Sequence, residues 1–345
     1  MRIILIGFGV VGKSVTAILA KRYAEKVKDY GFNPKIVAIA DVDGAVINPR
    51  GLSAEKLEAL RQKGFPISAD PEFGHPGMTA LDVIESVEAE VVVEVTPVNI
   101  KNGEPAMSHI TKAFKTGKHV VTTNKGPLAL ALPALMELAE YNNVYFRFSG
   151  TVGGGTPMLE FAKRCLAGDK ILAIKGILNG TTNYILTEMA QNRVTFQEAL
   201  SNAQKLGYAE TDPTMDVEGF DTACKIVILA NWVMNRKVTL RDVDRTGIRG
   251  VTLQALDEAA KRGNTIKLIG AIESTGKPTV KPMEIPKTSP LCVSGVLNAV
   301  TFYTEFAGEQ TLVGKGAGGM ETASAVLRDL LEIRRLLLRA RTSAE

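Results

Sequence analysis

Ile3-Ile4-Leu5-Ile6-Gly7-Phe8-Gly9-Val10-Val11-Gly12-Lys13 opens the chain and decides its fold. Four consecutive apolar residues read as a buried strand, and three glycines follow at the spacing Gly-x-Gly-x-x-Gly. A helical pattern then runs over Lys13–Asp29, with an apolar stripe through Val15, Ile18, Leu19 and Val27. Strand, glycine turn and helix in that order are the context that a dinucleotide fingerprint requires. The first glycine turns tightly, the second admits a pyrophosphate and the third lets helix meet strand. Amides at the helix start then face the phosphates. Gly7, Phe8, Gly9, Val10, Val11 and Gly12 are thus the first candidate cofactor-binding residues.

The pattern continues outward from this turn. Ile36–Ala40 reads as a second strand ending on Asp41, the candidate for the ribose hydroxyls. Asp41 and Asp43 oppose a 2′-phosphate, whereas Arg50 or Lys56 would reach one, so NADP or NAD both stay open. Ser53–Lys63 and Ala80–Val87 read as amphipathic helices, and Val91–Val95 and Val120–Thr123 as short buried strands. Continuous apolar strands separated by helices imply a parallel sheet covered on both faces. The expected fold class is therefore α/β, a Rossmann-type doubly wound parallel sheet. Its strand ends face a ligand crevice. Thr96-Pro97 closes one strand there, and Thr122-Thr123-Asn124-Lys125-Gly126-Pro127 closes another, which directs Lys125 at the reactive end of the cofactor.

The pattern changes at Ser149-Gly150-Thr151-Val152-Gly153-Gly154-Gly155-Thr156-Pro157. Beyond it the chain reads as a second, α+β unit. Its expected helices are Met158–Leu166, Thr182–Gln191, Thr195–Leu206 and Asp221–Met234, with strands at Leu172–Leu178, Val280–Ile285 and Ala299–Phe306. Thr195 and Glu198 have the spacing of a capping box. A glycine-rich segment, Gly314-Lys315-Gly316-Ala317-Gly318-Gly319, leads into a last helix, Glu321–Arg341, and either returns to the cofactor through Gly316 or is a tight turn. The expected domains are residues 1–148, rejoined by 314–345, and residues 149–313.

Chemistry concentrates in Gly207-Tyr208-Ala209-Glu210-Thr211-Asp212-Pro213-Thr214-Met215-Asp216-Val217-Glu218-Gly219-Phe220-Asp221-Thr222-Ala223-Cys224-Lys225. Asp221 and Lys225 stand four apart, so they share one helix face and can pair. The free amides and hydroxyl of Asn179-Gly180-Thr181-Thr182-Asn183 at a helix start suit a carboxylate. Successive carbonyls in the loop at 149–156 suit a hard cation.

Composition bounds the rest. A chain of 345 residues with 45% hydrophobic and 23% charged residues is ordinary globular material for about two domains. The net charge of +4 is not gathered into a basic block and aromatics are 6%, which argues against nucleic acid as a partner. Three scattered cysteines and three scattered histidines lack the spacing of a disulfide framework or a transition-metal site. Glycines and Lys13 interrupt the N-terminal apolar run, so it does not read as a signal peptide. No apolar run reaches the 18 or so residues of a membrane span. A reducing, cytoplasmic location is expected.

Taken together, these segments resemble homoserine dehydrogenase. The resemblance rests on the N-terminal glycines, Thr123-Asn124-Lys125 with Gly126-Pro127-Leu128-Ala129, and Thr151-Val152-Gly153-Gly154-Gly155-Thr156-Pro157. It continues through Asn179-Gly180-Thr181-Thr182-Asn183-Tyr184-Ile185-Leu186, the acidic block to Lys225, and Gly316-Ala317-Gly318-Gly319 before Thr322-Ala323. It implies interconversion of L-aspartate 4-semialdehyde and L-homoserine with NAD(P)H, in threonine and methionine biosynthesis, by a homodimer whose second domain binds substrate and dimerises. It also implies roles at matching positions. Lys125 would lie between nicotinamide and substrate. Lys225, held by Asp221, would be the proton donor and acceptor. Glu210 with Asp216 would bind the substrate ammonium. Gly180 and Thr181, helped by Tyr208, would bind the carboxylate. Carbonyls of Val152, Gly154 and Thr156 would hold a sodium or potassium ion, although the family often carries a glutamate where Ser149 stands. The chain ends soon after its last matching motif, so no appended regulatory domain and no inhibition by threonine through one are expected.

Hydride arriving at an aldehyde carbon creates an alkoxide, which needs a cation or acid beside it. A lysine supplies both when its surroundings bring its pKa toward neutral. Two other readings compete. Aspartate-semialdehyde or glyceraldehyde-phosphate type dehydrogenases need a nucleophilic cysteine. Here Cys165 and Cys224 read as core residues of apolar helices, and Cys292 as a loop residue. A non-catalytic NAD(P)-sensing protein has no need of Lys125, Asp221 and Lys225, which this chain keeps.

Overall fold

The computed structural model describes residues 1–22, 31–62 and 66–342. Contacts divide the chain into two compact units, Met1–Thr151 with the segment from Gly318 onward, and Val152–Ala317.

The first unit alternates strands and helices. In chain order they are β1 (Arg2–Ile6), α1 (Val10–Arg22), β2 (Lys35–Asp41), β3 (Gly44–Ile47), α2 (Ala54–Gln62), β4 (Gly74–Pro76), α3 (Ala80–Ser86), β5 (Val91–Glu94), α4 (Ala106–Lys115), β6 (His119–Thr122), α5 (Lys125–Tyr141) and β7 (Phe146–Arg147). The sheet order is β4-β3-β2-β1-β5-β6-β7. β2, β1, β5, β6 and β7 run parallel, whereas β3 and β4 are antiparallel additions on the β2 edge. From central β1 the chain goes first to β2 on one side and later to β5 on the other. That reversal opens a crevice at the strand ends between β1 and β5. Ile3, Ile4, Leu5, Val91, Val92 and Val93 are fully buried, as strands covered on both faces must be.

The expected parallel sheet is present and gains an antiparallel edge, because Asp41-Val42-Asp43-Gly44 folds as a tight hairpin in which Asp41 pairs Gly44. Gly44 has φ +139, and a Cβ there would lie 2.4 Å from the His75 carbonyl oxygen. Helix α1 starts at Val10, one turn earlier than Lys13. Its expected continuation to Asp29, with Val27, lies outside the described residues, as does Lys63 at the expected end of α2.

The second unit contains α6 (Met158–Glu160), β8 (Ile171–Ile177), α7 (Gly180–Asn192), α8 (Phe196–Lys205), α9 (Thr214–Val217), α10 (Phe220–Val233), β9 (Asp244–Arg245), α11 (Leu253–Lys261), β10 (Asn264–Glu273), β11 (Thr279–Pro286), β12 (Leu297–Thr304) and β13 (Glu309–Lys315). Its sheet order is β13-β12-β8-β10-β11-β9, antiparallel except for the β11–β9 pair. α10 lies almost wholly buried against this sheet, from Asp221 through Ala230 without an exposed residue. The close approach needs Gly270 on β10, where a Cβ would come within 2.9 Å of Thr222. The capping box Thr195–Glu198 starts α8. The expected helix Met158–Leu166 is instead one α turn, α6, continued as a π turn through Cys165. Cys165 is exposed there rather than a core residue, while Cys224 is buried.

The last helix, α12 (Gly319–Thr342), belongs to the first unit. Its Ala323, Val326, Leu330 and Ile333 join Ile3, Leu5, Val15 and Leu19 in one apolar core. On the other side of the sheet, Phe114 of α4 meets Phe146 of β7 edge to face, with ring centres 5.2 Å apart. Replacing this fully buried ring, Phe114→Ala, is expected to cost about 3–5 kcal/mol. Urea unfolding monitored by circular dichroism checks this, and an unchanged midpoint would contradict the packing described.

Candidate active site

The acidic block folds around the starts of α7 and α10. Gly219, with φ +79, ends α9 and turns the chain into α10. That turn puts Asp221 in the first turn of α10, and Lys225 one turn later on the same face. Their side chains are 6% and 5% exposed. Lys225 Nζ donates to Asp221 Oδ2 at 2.7 Å and to the Leu178 carbonyl oxygen at 2.6 Å. Asn179 is the N-cap of α7, its Oδ1 accepting the Thr182 N–H. Its Nδ2 donates to Asp216 Oδ1 at 2.6 Å and to Asp221 Oδ2 at 2.9 Å. One amide thus joins two carboxylates, a lysine and a helix start. Burial, and next to it the charge of Asp221, push the Asp216 carboxyl above the usual range. A cation placed beside Asp216 would relieve both.

The other expected substrate residues divide. Thr181 Oγ1 donates to the Tyr208 carbonyl oxygen at 2.7 Å, which ties the first turn of α7 to the loop after α8. The Tyr208 ring packs on Tyr184, 5.1 Å between centres. Gly180 has no room for a side chain, because a Cβ would lie 2.8 Å from the Val296 carbonyl oxygen. Glu210 stands exposed, and among the described residues no hydrogen bond joins its side chain to Asp216.

In the first unit the fingerprint has the shape that a pyrophosphate needs. Gly7 has φ +96 and its N–H donates to the Ala40 carbonyl oxygen. A Cβ on Gly12 would lie 2.1 Å from the Gly7 carbonyl oxygen, whereas a Cβ on Gly9 would meet nothing within 4 Å. The turn is therefore closed behind the second glycine and open in front of it, which fits a dinucleotide. Phe8 is buried, while Val10 is exposed and Val11 half-buried at the rim. Asp41 ends β2 beside this turn. Neither cation considered for a 2′-phosphate stands ready there. Arg50 lies toward the opposite end of β2, since Asn48 N–H bonds Val37 and Leu52 N–H bonds Ile36. Lys56 is ion-paired with Asp70 at 3.1 Å and with Glu72 at 3.4 Å.

The crevice side of β5 and β6 is braced from beneath. Glu94, fully buried at the end of β5, accepts from the Thr96 N–H, the Thr96 hydroxyl and the Thr122 hydroxyl. Asn124 Nδ2 donates to the carbonyl oxygens of Thr96 and Pro97, each at 3.0 Å. Its Oδ1 accepts the Gly126 N–H and so caps α5. Lys125, half-buried, is the first residue of that helix.

The loop after Thr151 turns on Gly153 (φ +85) and Gly154 (φ +54). Val152 is buried. The Thr156 carbonyl oxygen accepts the Met158 N–H at 2.8 Å. Gly154 rests on the backbone of Gly316, and a Cβ on Gly316 would overlap the Asn298 amide. Ser149, where the resemblance would place a glutamate, is bound through Oγ and N–H to Asp329 of α12, at 2.7 and 2.9 Å. Among the described residues no cluster of His, Cys, Asp or Glu would hold a metal. None of their helices is long and apolar enough to cross a membrane.

Sequence reasoning missed four buried polar groups. Asn179 gave only motif context, and Asn298, just ahead of the expected strand at Ala299, lies in no motif. Glu94 and Lys267 had a detectable signal, a charge set inside or at the end of an apolar run, as in Val91-Val92-Val93-Glu94 and Thr265-Ile266-Lys267-Leu268-Ile269.

Two family models match the chain. One, described as the NAD binding domain of homoserine dehydrogenase, covers residues 7–149, and one described as homoserine dehydrogenase covers residues 157–331. A homoserine dehydrogenase of Methanocaldococcus jannaschii is 50% identical over 96% of this chain and 98% of its own. An NAD(+)-dependent homoserine dehydrogenase of Pseudomonas canavaninivorans is 42% identical over 96% of each chain. A homoserine dehydrogenase mutant from a hyperthermophilic archaeon, solved with NADPH, superposes with a TM-score of 0.84. It is 29% identical, over 96% of this chain and 97% of its own. With its fingerprint turn, its acidic block and its two-unit fold all matched from end to end, the chain belongs to the homoserine dehydrogenase family.

Proposed function

We propose that the protein interconverts L-homoserine and L-aspartate 4-semialdehyde with a nicotinamide dinucleotide, as a cytoplasmic homodimer in threonine and methionine biosynthesis. The observation that carries this is the buried cluster of Lys225, Asp221, Asn179 and Asp216 at the start of α7. Bound nicotinamide supplies or accepts the hydride. Lys225 gives a proton to the oxygen that becomes the homoserine hydroxyl, and takes it back when the alcohol is oxidised. Asp221 and the Leu178 carbonyl aim its Nζ. Asp216, with Glu210 closing from its exposed loop, receives the substrate ammonium. The first turn of α7 at Gly180 and Thr181, with Tyr208, receives the carboxylate. Lys125 is assigned to the nicotinamide end of the cofactor, and Thr96, Pro97 and Gly316 are assigned to binding it. Carbonyls of Val152, Gly154 and Thr156 offer a neutral donor set, which suits a sodium or potassium ion rather than a divalent one.

Lys225→Met is expected to lower kcat by about 10²–10⁴, the range for losing a general acid–base group, while NAD(P)H binding by fluorescence changes less than about twofold. Wild-type kcat in that variant would refute the role of Lys225. Because Asp221 loses its ammonium in this variant, its fold is checked by circular dichroism.

Asp41 and the distant placement of Arg50 favour NAD over NADP. Homoserine oxidation assayed with both cofactors in parallel is expected to give a kcat/KM at least about tenfold higher for NAD⁺. Asp41→Ala is expected to erode most of that preference. A preference for NADP⁺ would reverse the assignment of Asp41.

The thiol-dependent alternative is separable at the exposed cysteine. Iodoacetamide is expected to label Cys165 without loss of turnover. Activity lost in step with labelling there would point to covalent thiohemiacetal chemistry instead.

A further inference from the structure

Among the described residues Lys118 and Lys267 are buried cations outside the cluster just described, and Lys267 is the more deeply buried. Lys267, on β10, is 2% exposed. Its Nζ donates to Asn183 Oδ1 at 2.7 Å and to Thr187 Oγ1 at 2.8 Å. Both acceptors are on α7, four residues apart and so on one face of that helix. Asn179 and Gly180 share the same face one turn back. Asn183 is clamped at both ends of its amide, because its Nδ2 donates to the Leu297 carbonyl oxygen at 3.0 Å. Thr187 in turn donates to the Asn183 carbonyl oxygen at 2.6 Å. Val296 and Leu297 therefore press on the first turn of α7 from one side, and Lys267 holds it from another.

The hydrogen bonds alone do not explain a lysine at this position. Both acceptors are neutral, and among the described residues no carboxylate makes an ion pair with Lys267. Burying an unbalanced ammonium is costly, and a neutral donor of similar length would tie the same two atoms for less. Burial depresses the lysine to about 8, with Cys292 from the loop after β11 as the titratable neighbour acting the other way. At neutral pH it is still mostly an ammonium. Nor does it suit the helix, whose N-terminal half already carries the positive end of the macrodipole. A positive charge added there raises the potential at the first-turn amides, and that is useful when an anion docks on them.

We propose that Lys267 is a positioning residue for the substrate carboxylate. It fixes the first two turns of α7 through Asn183 and Thr187, and its charge balances the anion received at Gly180 and Thr181. The proposal rests on the assignment of the α7 start as the carboxylate site.

The test uses Lys267→Met, Lys267→Gln and Lys267→Arg in the full-length enzyme, with kinetics for homoserine and for the cofactor. It is paired with calorimetric binding of L-homoserine and of L-homoserinamide, which lacks the carboxylate charge. Met and Gln are expected to raise the homoserine KM about tenfold, the size of one unit-charge interaction across roughly a nanometre of protein. The change in kcat is expected to stay below about threefold, with the cofactor KM unmoved and Arg recovering most of the loss. Homoserinamide, weaker than homoserine on the wild type, is expected to bind wild type and variants alike. If Gln behaves as wild type, or if kcat and both KM values worsen together, the proposal is overturned and Lys267 is only a tether. A wild type that binds homoserinamide as tightly as homoserine would instead overturn the carboxylate assignment itself. The two failures are therefore distinct.

Discussion

Two carboxylates, Asp216 and Asp221, share one amide in the interior of the second unit. Much of the local architecture follows from keeping them there. Like charges in a poorly solvated place repel, and the raised pKa of Asp216 registers that repulsion together with its burial. Asn179 offsets part of it with both N–H bonds, and Lys225, bound to Asp221, offsets a smaller part. Asn179 can do this because it is fixed elsewhere, its oxygen capping α7 through the Thr182 N–H. The cap, the carboxylate pair and the lysine are therefore one structure, and none of them moves without the others. Such a buried arrangement is weak evidence for stability, since an apolar replacement of the same volume is often no worse. Its retention is better explained by chemistry at the lysine.

The first unit solves a different problem, that of holding backbone in an unusual path at the ends of β1, β5 and β6. A side chain on Gly12 would clash with the Gly7 carbonyl and one on Gly7 would press on the Val95–Thr96 backbone, while Gly9 faces open space. On the neighbouring strands a buried acid does the work of glycine. Glu94 collects three donors from Thr96 and Thr122, and Asn124 then fastens the Thr96-Pro97 turn to the start of α5. Lys125 begins that helix, so its position is set by a network two residues and one strand away. A charge-assisted bond to a buried carboxylate is stronger than a neutral one, which suits a turn that must not drift when a ligand arrives.

How much of this was legible depended on the range of the interaction. The glycine turn, the parallel strands and the Thr195–Glu198 cap are written in neighbouring residues, and their signals survive without tertiary context. The β2–β3 hairpin and the β4 strand beyond it were missed because β3 and β4 are short and Asp41-Val42-Asp43-Gly44 was read for ribose chemistry alone. The π turn at Phe161–Cys165 has no sequence signature, and it rotates Cys165 to solvent from a position that an α-helix would bury. β10 escaped because Lys267 interrupts its apolar run, and the partners that let a lysine stay there, Asn183 and Thr187, are about 80 residues away. Arg50 looked available to the cofactor only because sequence distance from Asp41 is short. The antiparallel return of β3 carries it toward the other end of the sheet.

The two buried charged arrangements of the second unit acquire a common meaning when taken together. At Asn179 two carboxylates share one amide, and burial and mutual repulsion push Asp216 above its usual range. At Asn183, four residues along the same face of α7, the Lys267 ammonium meets only neutral acceptors among the described residues, which leaves a positive charge. Each arrangement is costly to bury, and among the described residues no hydrogen bond or ion pair joins the two. A ligand bearing both an ammonium and a carboxylate on one carbon would satisfy both at once, with the ammonium toward Asp216 and the carboxylate over the first turn of α7. An aldehyde or alcohol without the amino-acid head would satisfy neither. On this argument selectivity for an amino-acid substrate is built into the charge distribution around a single helix. In the proposed reaction the reacting oxygen is then left to Lys225, one turn inside α10.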